Sequence, residues 1–236
     1  MPSPHLATPE ALTSFIGRVP LLEEMPAEAL ASLSPLCRLD TYAGEVDIFQ
    51  QGDAADRVWI VSEGEVKIVR HDEGGREVIL EVISQGQAFG GAVIFLPEHP
   101  ATARPLTETV ETVSFSSEAY AGVMLSSPAT ALKIIRMLGL RLHSMIRMNL
   151  LAGERVERRL AYILLKMAHI CGRPDPEGTL LSIPLSRQDL ADMSGTTIET
   201  AIRIMSRFRA EGMVKTRRGG YLVLVDEENL QRIARA

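Results

Sequence analysis

The chain has 236 residues, 46% of them hydrophobic and 23% charged, with a formal net charge of −5. This is the composition of a globular protein of one large or two ordinary domains, and its acidic balance excludes a wholly basic nucleic-acid binder. No apolar run approaches the roughly 18 residues that span a bilayer, and two cysteines, Cys37 and Cys171, exclude a four-cysteine iron–sulfur cluster within one chain.

The start, MPSPHLATPE, has neither a basic nor an apolar region of a secretory signal, so a cytoplasmic protein is expected. The cysteines have no CxxC or zinc spacing and read as two reduced thiols; no metal site is expected. The charge is uneven. From Glu154 onward there are 14 Lys and Arg against 11 Asp and Glu, a net of +3, which leaves −8 for the rest. An acidic front and a mildly basic back suggest a division of labour.

Residues 1–20 are Pro-rich and weakly patterned, and are expected to be a flexible tail leading into a short helix near Pro26–Ser34. From Cys37 to Phe115 short β-type runs are punctuated by Gly44, Gly52, Gly64, Gly86 and Gly90-Gly91. VWIVSEGEVKIVRH and REVILEVIS alternate with period two, and the glycines of EGG at 73–75 suit a hairpin turn. Many short strands at this spacing predict a β jelly roll, a sensor domain over 21–125. No α/β alternation appears, so a dinucleotide-binding sheet is excluded.

The period then switches to that of a helix. Ser126 and Ser127 are caps, and Pro128 takes the first helical position of a long helix within 126–153. Ile135, Leu138, Leu142, Met145, Asn149 and Ala152 recur at 3-4-3-4-3, a heptad seam flanked by Arg136, Arg141 and Arg147. The seam predicts a dimerisation helix, against the alternative of an ordinary core helix. A second helix, ERVERRLAYILLKMAHI, presents Val156, Leu160, Ile163, Leu164 and Met167 on one face, and CGRPDPEG reads as a loop.

The last domain, 154–236, carries LSRQDLADMSGTTIETAIRIMSRFRAEGMVKTRRGGYLVL. Ser186 caps a short helix, with Asp189 completing a capping box. Gly195 sits at a tight turn, and Thr196 or Thr197 caps a second helix whose inner face is Ile198, Ala201, Met205 and Phe208. That is helix-turn-helix punctuation. The early exposed positions of the second helix, Thr197, Glu199, Thr200 and Arg203, are the candidate base readers. A carboxylate accepts from cytosine N4 and a guanidinium grips guanine O6 and N7, so Glu199 and Arg203, four apart on one face, could read one G·C pair while bracing each other. The competing reading is a solvated ion pair. VKTRRGGYLVL reads as a β-hairpin wing with Arg217 and Arg218 at its tip. These two, with Ser186, Arg187, Gln188 and Arg207, are the candidate phosphate contacts.

In this order the chain resembles the Crp/Fnr family of bacterial transcription regulators. The marks are GDAADRVWIVSEGEVKI, with Gly52 and Gly64 in the family's positions, and LSRQDLADMSGTTIETAIRIM, where Glu199 and Arg203 fall on the family's two base readers. The resemblance covers about residues 20–230. It implies an α+β architecture: a cyclic-nucleotide-binding-like jelly roll, a long dimerisation helix and a winged helix-turn-helix. It also implies a homodimer that binds an inverted repeat with a TGA-like or TTG-like core in each half and meets RNA polymerase. A third family reader falls at Ile198 or Ile202, a departure that leaves the outer half-site bases open. A ligand between sensor and long helix shifts the DNA-reading heads in family members, and the equivalent junction here is Arg141, Ser144 and Met145.

Family members that bind cyclic AMP hold its phosphate with an Arg-Ser pair and its ribose with a Glu after the Phe-Gly pair. Those positions are Ala101-Thr102 and Gly91 here, in a pocket that also takes in Gly90 and Ala92. Arg104 is an odd number of strand positions away and points elsewhere. An apolar loop cannot balance a desolvated phosphodiester, so cyclic AMP is not expected. The run REVILEVISQGQAFGGAVIFLPEHPATA also resembles the subgroup that regulates denitrification and nitrogen-oxide stress and is thought to sense through haem. Haem needs an apolar slot and an axial ligand. Val93, Ile94 and Phe95 are candidate walls, and His5, His71, His99 and His143 candidate ligands. A redox role for Cys171, and a sensor with no effector at all, are the other readings. The chain shows no catalytic triad spacing, metal cluster or P-loop, so no enzyme is expected. The remaining rival is a cyclic-nucleotide-binding module that regulates a partner protein without DNA.

Overall fold

A computed structural model of the chain describes residues 8–23, 25–44, 46–71, 77–91, 96–151 and 153–235, without the side chains of 148 and 149. Expectations that rest on His5, the 73–75 turn, Ala92, Val93, Ile94, Phe95, the Asn149 side chain and Ala152 lie outside this set. The chain divides into two compact units: residues up to Val69 with Glu81–Leu142, and Arg70–Leu80 with the residues from His143.

The first unit holds strands β1 (Arg38–Ala43), β2 (Arg57–Glu63), β5 (Ala88–Phe89) and β7 (Thr109–Ser116) in one sheet of order β1-β7-β2-β5. Strands β3 (Val66–His71), β4 (Glu77–Ile83) and β6 (Thr102–Pro105) form a second, of order β4-β3-β6. The sequence VWIV in β2 explains its central place. Val58 and Ile60 enter one core, and Trp59 and Val61 a second core shared with Val66, Ile83 and Ala103 of the other sheet. Alternate residues of one buried strand thus serve two apolar layers. Gly64 makes the β2–β3 turn at φ +79°, where a Cβ would lie 2.5 Å from the Thr109 carbonyl oxygen. That close approach is the physical reason for glycine there.

The flexible tail expected over 1–20 is corrected from Pro9 onward. Helix α1 (Pro9–Gly17) is capped by Thr8, whose hydroxyl accepts from the Ala11 amide, and Pro9 is pre-organised for the first turn. Leu12, Ile16, Val19, Leu21, Leu22 and Met25 are buried against Val123 and Ile134. Pro9 marks a helix start. Helix α2 (Ala27–Leu33) follows at the expected place.

Helix α3 (Ser117–Ser126) leads to α4 (Pro128–Leu151), where Ser127 accepts from the Thr130 amide as the expected cap. The heptad seam is corrected at Leu138, which is half-buried against the core that α1 closes. The apolar stripe left in solvent is Leu132, Ile135, Leu142 and Ile146, with Gly139 in line and Met145 beside it.

In the second unit α5 (Val156–Cys171) buries Leu160, Ile163, Leu164 and Met167. The loop expected at CGRPDPEG is instead a hairpin of β8 (Gly172–Asp175) and β9 (Gly178–Leu181). Gly and Pro mark its tight turn and edge strand rather than irregular chain. Helices α6 (Arg187–Ser194) and α7 (Ile198–Ala210) precede β10 (Val214–Thr216) and β11 (Leu222–Leu224), and the sheet order is β10-β11-β9-β8. Helix α8 (Glu227–Arg235) closes the unit; Arg158 of α5 donates to the Ala234 carbonyl at its end. No single helix among the described residues is long and apolar enough to cross a membrane.

Candidate nucleic-acid interface and sensor pocket

The α6–α7 turn is built as its sequence dictates. Ser186 accepts from the Asp189 amide while Asp189 accepts from the Ser186 amide, closing the capping box. Gly195 ends α6 at φ 60°, ψ 42°, the left-handed geometry that only glycine adopts without strain. Arg159 on α5 then fixes the corner, donating to the Ser194 carbonyl at 2.7 Å and to the Glu154 carbonyl at 2.8 Å.

Helix α7 buries Ala201, Ile204, Met205 and Phe208. Its opposite face exposes Thr197, Glu199, Ile202 and Arg203. Thr197 is the N-cap, and its hydroxyl is engaged with the amide and hydroxyl of half-buried Thr200. Glu199 and Arg203 do share a face, but the mutual brace expected of them is absent: neither makes an ion pair or side-chain hydrogen bond among the described residues. Their charged ends are therefore unsatisfied and directed at solvent.

The phosphate candidates separate into two groups. Arg207 is tied to Glu157 of α5, Gln188 donates to Asp192 at 2.7 Å, and the Ser186 hydroxyl serves the cap. Arg217 is held by Asp175 through two 2.8 Å hydrogen bonds, and also reaches Glu177. Arg187 and Arg218 carry no such partner among the described residues. Hydrogen bonds from Lys215 and Arg217 hold the Glu177 carboxyl below its ordinary value.

In the sensor, the described residues at the effector-pocket positions are engaged within the protein itself. Ala101 and Thr102 are buried, and the Thr102 hydroxyl accepts from the Gln51 amide at 3.0 Å. A Cβ at Gly91 would lie 3.0 Å from the Tyr120 ring and hydroxyl, so any side chain there would press on that buried ring. At Gly90, φ is +79° and the Trp59 ring covers the backbone. Two arginines of the sensor are already neutralised. Arg104 pairs with Asp47 at 2.6 Å, and Arg141 pairs with Glu81 at 2.9 Å while donating to the Ala88 carbonyl at 2.7 Å. A phosphodiester would have to displace a carboxylate at either one. Burial pushes the Tyr120 hydroxyl up to about 12, so it stays a neutral phenol. The Ser144 hydroxyl is buried without a partner and Met145 is exposed.

His71 and His143 are exposed. His99 is 2% exposed and stacks on Phe49 with ring centroids 3.7 Å apart, so no edge of its imidazole is open to a porphyrin. Burial lowers its pKa against the pull of Asp53 and Asp56, favouring the neutral ring. Among the described residues no group of three or more His, Cys, Asp or Glu is placed to hold a metal ion. The alternative of a redox-active Cys171 finds no support in its surroundings. Cys171 ends α5, buried, with its thiol donating to the Met167 carbonyl, and burial raises the Cys37 thiol to about 12.

Sequence reasoning missed Arg159, Glu157, Asp175 and Glu177, whose partners lie 35 or more residues away. Ile202 left a readable signal: it sits one residue outside the buried register of α7, yet is large and apolar.

Comparison with known proteins now adds the lineage. Residues 40–127 match the cyclic nucleotide-binding domain and residues 158–233 the Crp-like helix-turn-helix domain. The chain is 26% identical over 227 residues to the CRP-like cAMP-activated global transcriptional regulator of Mycobacterium tuberculosis, covering 95% of this chain and all of that one. It is 27% identical over 169 residues to the cyclic AMP receptor protein of Thermus thermophilus, 71% of this chain and 75% of that one. The fold is shared with FixK2 of Bradyrhizobium japonicum, at a TM-score of 0.75 and 22% identity, over 85% of this chain and 98% of that one. With both domains matched in order along a shared fold, the chain belongs to the Crp/Fnr family, as a transcription regulator with a cyclic nucleotide-binding domain and a DNA-binding helix-turn-helix.

Proposed function

We propose that the protein is a homodimeric, sequence-specific regulator that acts in the cytoplasm, binds an inverted repeat and meets RNA polymerase at the promoter. The observation that carries this reading is the exposed face of α7. Glu199, Ile202 and Arg203 stand together without partners, opposite a face fixed by burial and by Arg159. A carboxylate and a guanidinium left unsatisfied at the start of such a helix match cytosine N4 and guanine O6 and N7. Arg187 and Arg218 are the phosphate contacts that remain available. The rival module that acts without DNA leaves this face unexplained.

The second copy is placed on the exposed stripe of α4. Leu132, Ile135, Leu142 and Ile146 are each between 48% and 66% exposed and recur at helical spacing, an apolar face that one chain alone leaves in water. Gly139 lies in that stripe with nothing within 4 Å of where a Cβ would stand. A mid-helix glycine costs about 1 kcal/mol relative to alanine, which close approach of a second helix offsets.

Ile202 supplies the reading at the outer half-site that family resemblance left open. An apolar side chain on the base-reading face fits the thymine methyl. The test removes that methyl alone: deoxyuridine replaces thymidine, one position at a time, in a bound site. One methyl is worth about 0.8 kcal/mol, so binding at the contacted position is expected to weaken about fourfold per half-site. In Ile202→Ala the same replacement should have no effect. A site indifferent to every such replacement removes Ile202 from the readers.

The sensor is read as one that does not take cyclic AMP, because its two arginines are already paired and Gly91 is covered by Tyr120. On the resemblance of residues 76–103 alone, its input is assigned to nitrogen-oxide or stress signals, without haem ligation by His99 in the arrangement described.

A further inference from the structure

Arg217 and Arg218 are neighbours at the tip of the wing, and the sequence offers both as phosphate contacts. The structure separates them. The Arg217 guanidinium meets the Asp175 carboxylate edge to edge, Nη1 to Oδ2 and Nη2 to Oδ1, both at 2.8 Å. Asp175 is 8% exposed at its side chain while Arg217 is 42% exposed, so the carboxylate is a fixed base and the arginine the arm that reaches it. Glu177, two residues on, takes Arg217 at 3.4 Å and also Lys215 of β10. Four charged groups thus join the β8–β9 turn to both ends of the β10 side of the wing. Arg218 has no partner among the described residues.

An isolated exposed ion pair contributes little, but a bidentate arginine–carboxylate pair within a network is the exception. Detaching Arg217 toward a phosphate would also strand the mostly buried Asp175 carboxylate beside the DNA backbone.

We propose that Arg217 is a positioning residue, clamped by Asp175 and Glu177 so that the wing stands in place, and that Arg218 makes the phosphate contact. This rests on the DNA-binding reading above. On DNA, Arg217 keeps its carboxylate partners.

The two roles give opposite results for Asp175→Asn. A clamp that is broken should weaken specific DNA binding about three- to tenfold. A phosphate contact that is freed from a competing carboxylate should bind more tightly. Salt dependence separates the arginines: each phosphate contact contributes about 0.9 to the slope of log K against log salt. Arg218→Ala should therefore lower the slope by about 1.8 in a dimer, and Arg217→Gln should leave it unchanged within about 0.5 while matching Asp175→Asn in affinity. Arg217→Lys keeps the charge but not the two-pronged grip. It should behave like Arg217→Gln; affinity like the wild type would overturn the clamp. Amide hydrogen exchange over 214–224 in the free protein tests the clamp without DNA: Asp175→Asn and Arg217→Gln should both speed it. Unchanged exchange overturns the proposal even where DNA binding holds. Tighter binding by Asp175→Asn, or a slope that falls equally for both arginine variants, overturns it as well. Wild-type protein that binds no DNA, with the wing amides responding as expected, instead overturns the DNA-binding reading.

Discussion

Arg203→Ala is expected to cut discrimination between the cognate site and random DNA steeply while leaving most non-specific binding in place. A bidentate guanidinium on guanine is worth about 1–3 kcal/mol of discrimination. Two copies on an inverted repeat double this to about 2–6 kcal/mol, or about 30-fold to about 10⁴-fold in affinity. The side chain is exposed and unpaired, so its loss removes no interior contact and the fold should be unaffected. Arg203→Lys should not restore the loss, because an ammonium cannot make both hydrogen bonds. Glu199→Ala should act differently, relaxing the preference at the base paired to that guanine. The measurement is competition binding of cognate against scrambled duplex at one fixed salt concentration. Equal loss on both duplexes would assign Arg203 to the backbone and not to the bases.

Leu142→Asp is expected to produce a folded monomer that no longer binds a two-half site tightly. Leu142 is 59% exposed in the chain alone and sits at the middle of the α4 stripe. In the free chain the substitution places a carboxylate in water at little cost. In the dimer it buries two carboxylates in an apolar seam, each at several kcal/mol. Dimerisation should weaken by at least about a hundredfold, readable by sedimentation at micromolar concentration. Leu138→Asp provides the contrast. Leu138 packs against the chain's own core, so that variant should lower the unfolding midpoint instead. A Leu142→Asp protein that remains dimeric would move the interface off this stripe.

Periodicity made much of the architecture readable before the structure. The capping box at Ser186 and Asp189, the left-handed Gly195 and the buried register of α7 follow from residue types a few positions apart. The same local logic misread two segments. Proline and glycine in CGRPDPEG serve an edge hairpin, and Pro9 starts a helix. Composition alone cannot separate a turn from disorder when the deciding term is burial of Leu12 and Ile16 against a distant helix. The seam lost Leu138 for a related reason. A helix offers one apolar pattern to two claimants, and only the position of the N-terminal segment shows which takes it.

The functional surfaces were half readable. Glu199 and Arg203 stood out by spacing, whereas their lack of a mutual ion pair did not. The pairs Arg104–Asp47, Arg141–Glu81 and Arg217–Asp175 join residues 42 to 60 apart in sequence, and no local rule finds them. Those pairs decide which arginines remain for a phosphate. In the sensor Arg104 and Arg141 are both occupied by carboxylates. In the wing the same pairing logic separates a clamp from a contact.

Selecting bound duplexes from a random pool with the purified protein, with and without cyclic AMP, asks which sequence α7 reads. An inverted repeat whose half-site centres lie about one helical turn, 10–10.5 base pairs, apart should be enriched. Each half should carry a G·C pair that Arg203→Ala ceases to select, and cyclic AMP should leave the enrichment unchanged. Recovery of unrelated sequences, or of an ordered site only when cyclic AMP is present, would contradict the proposed function.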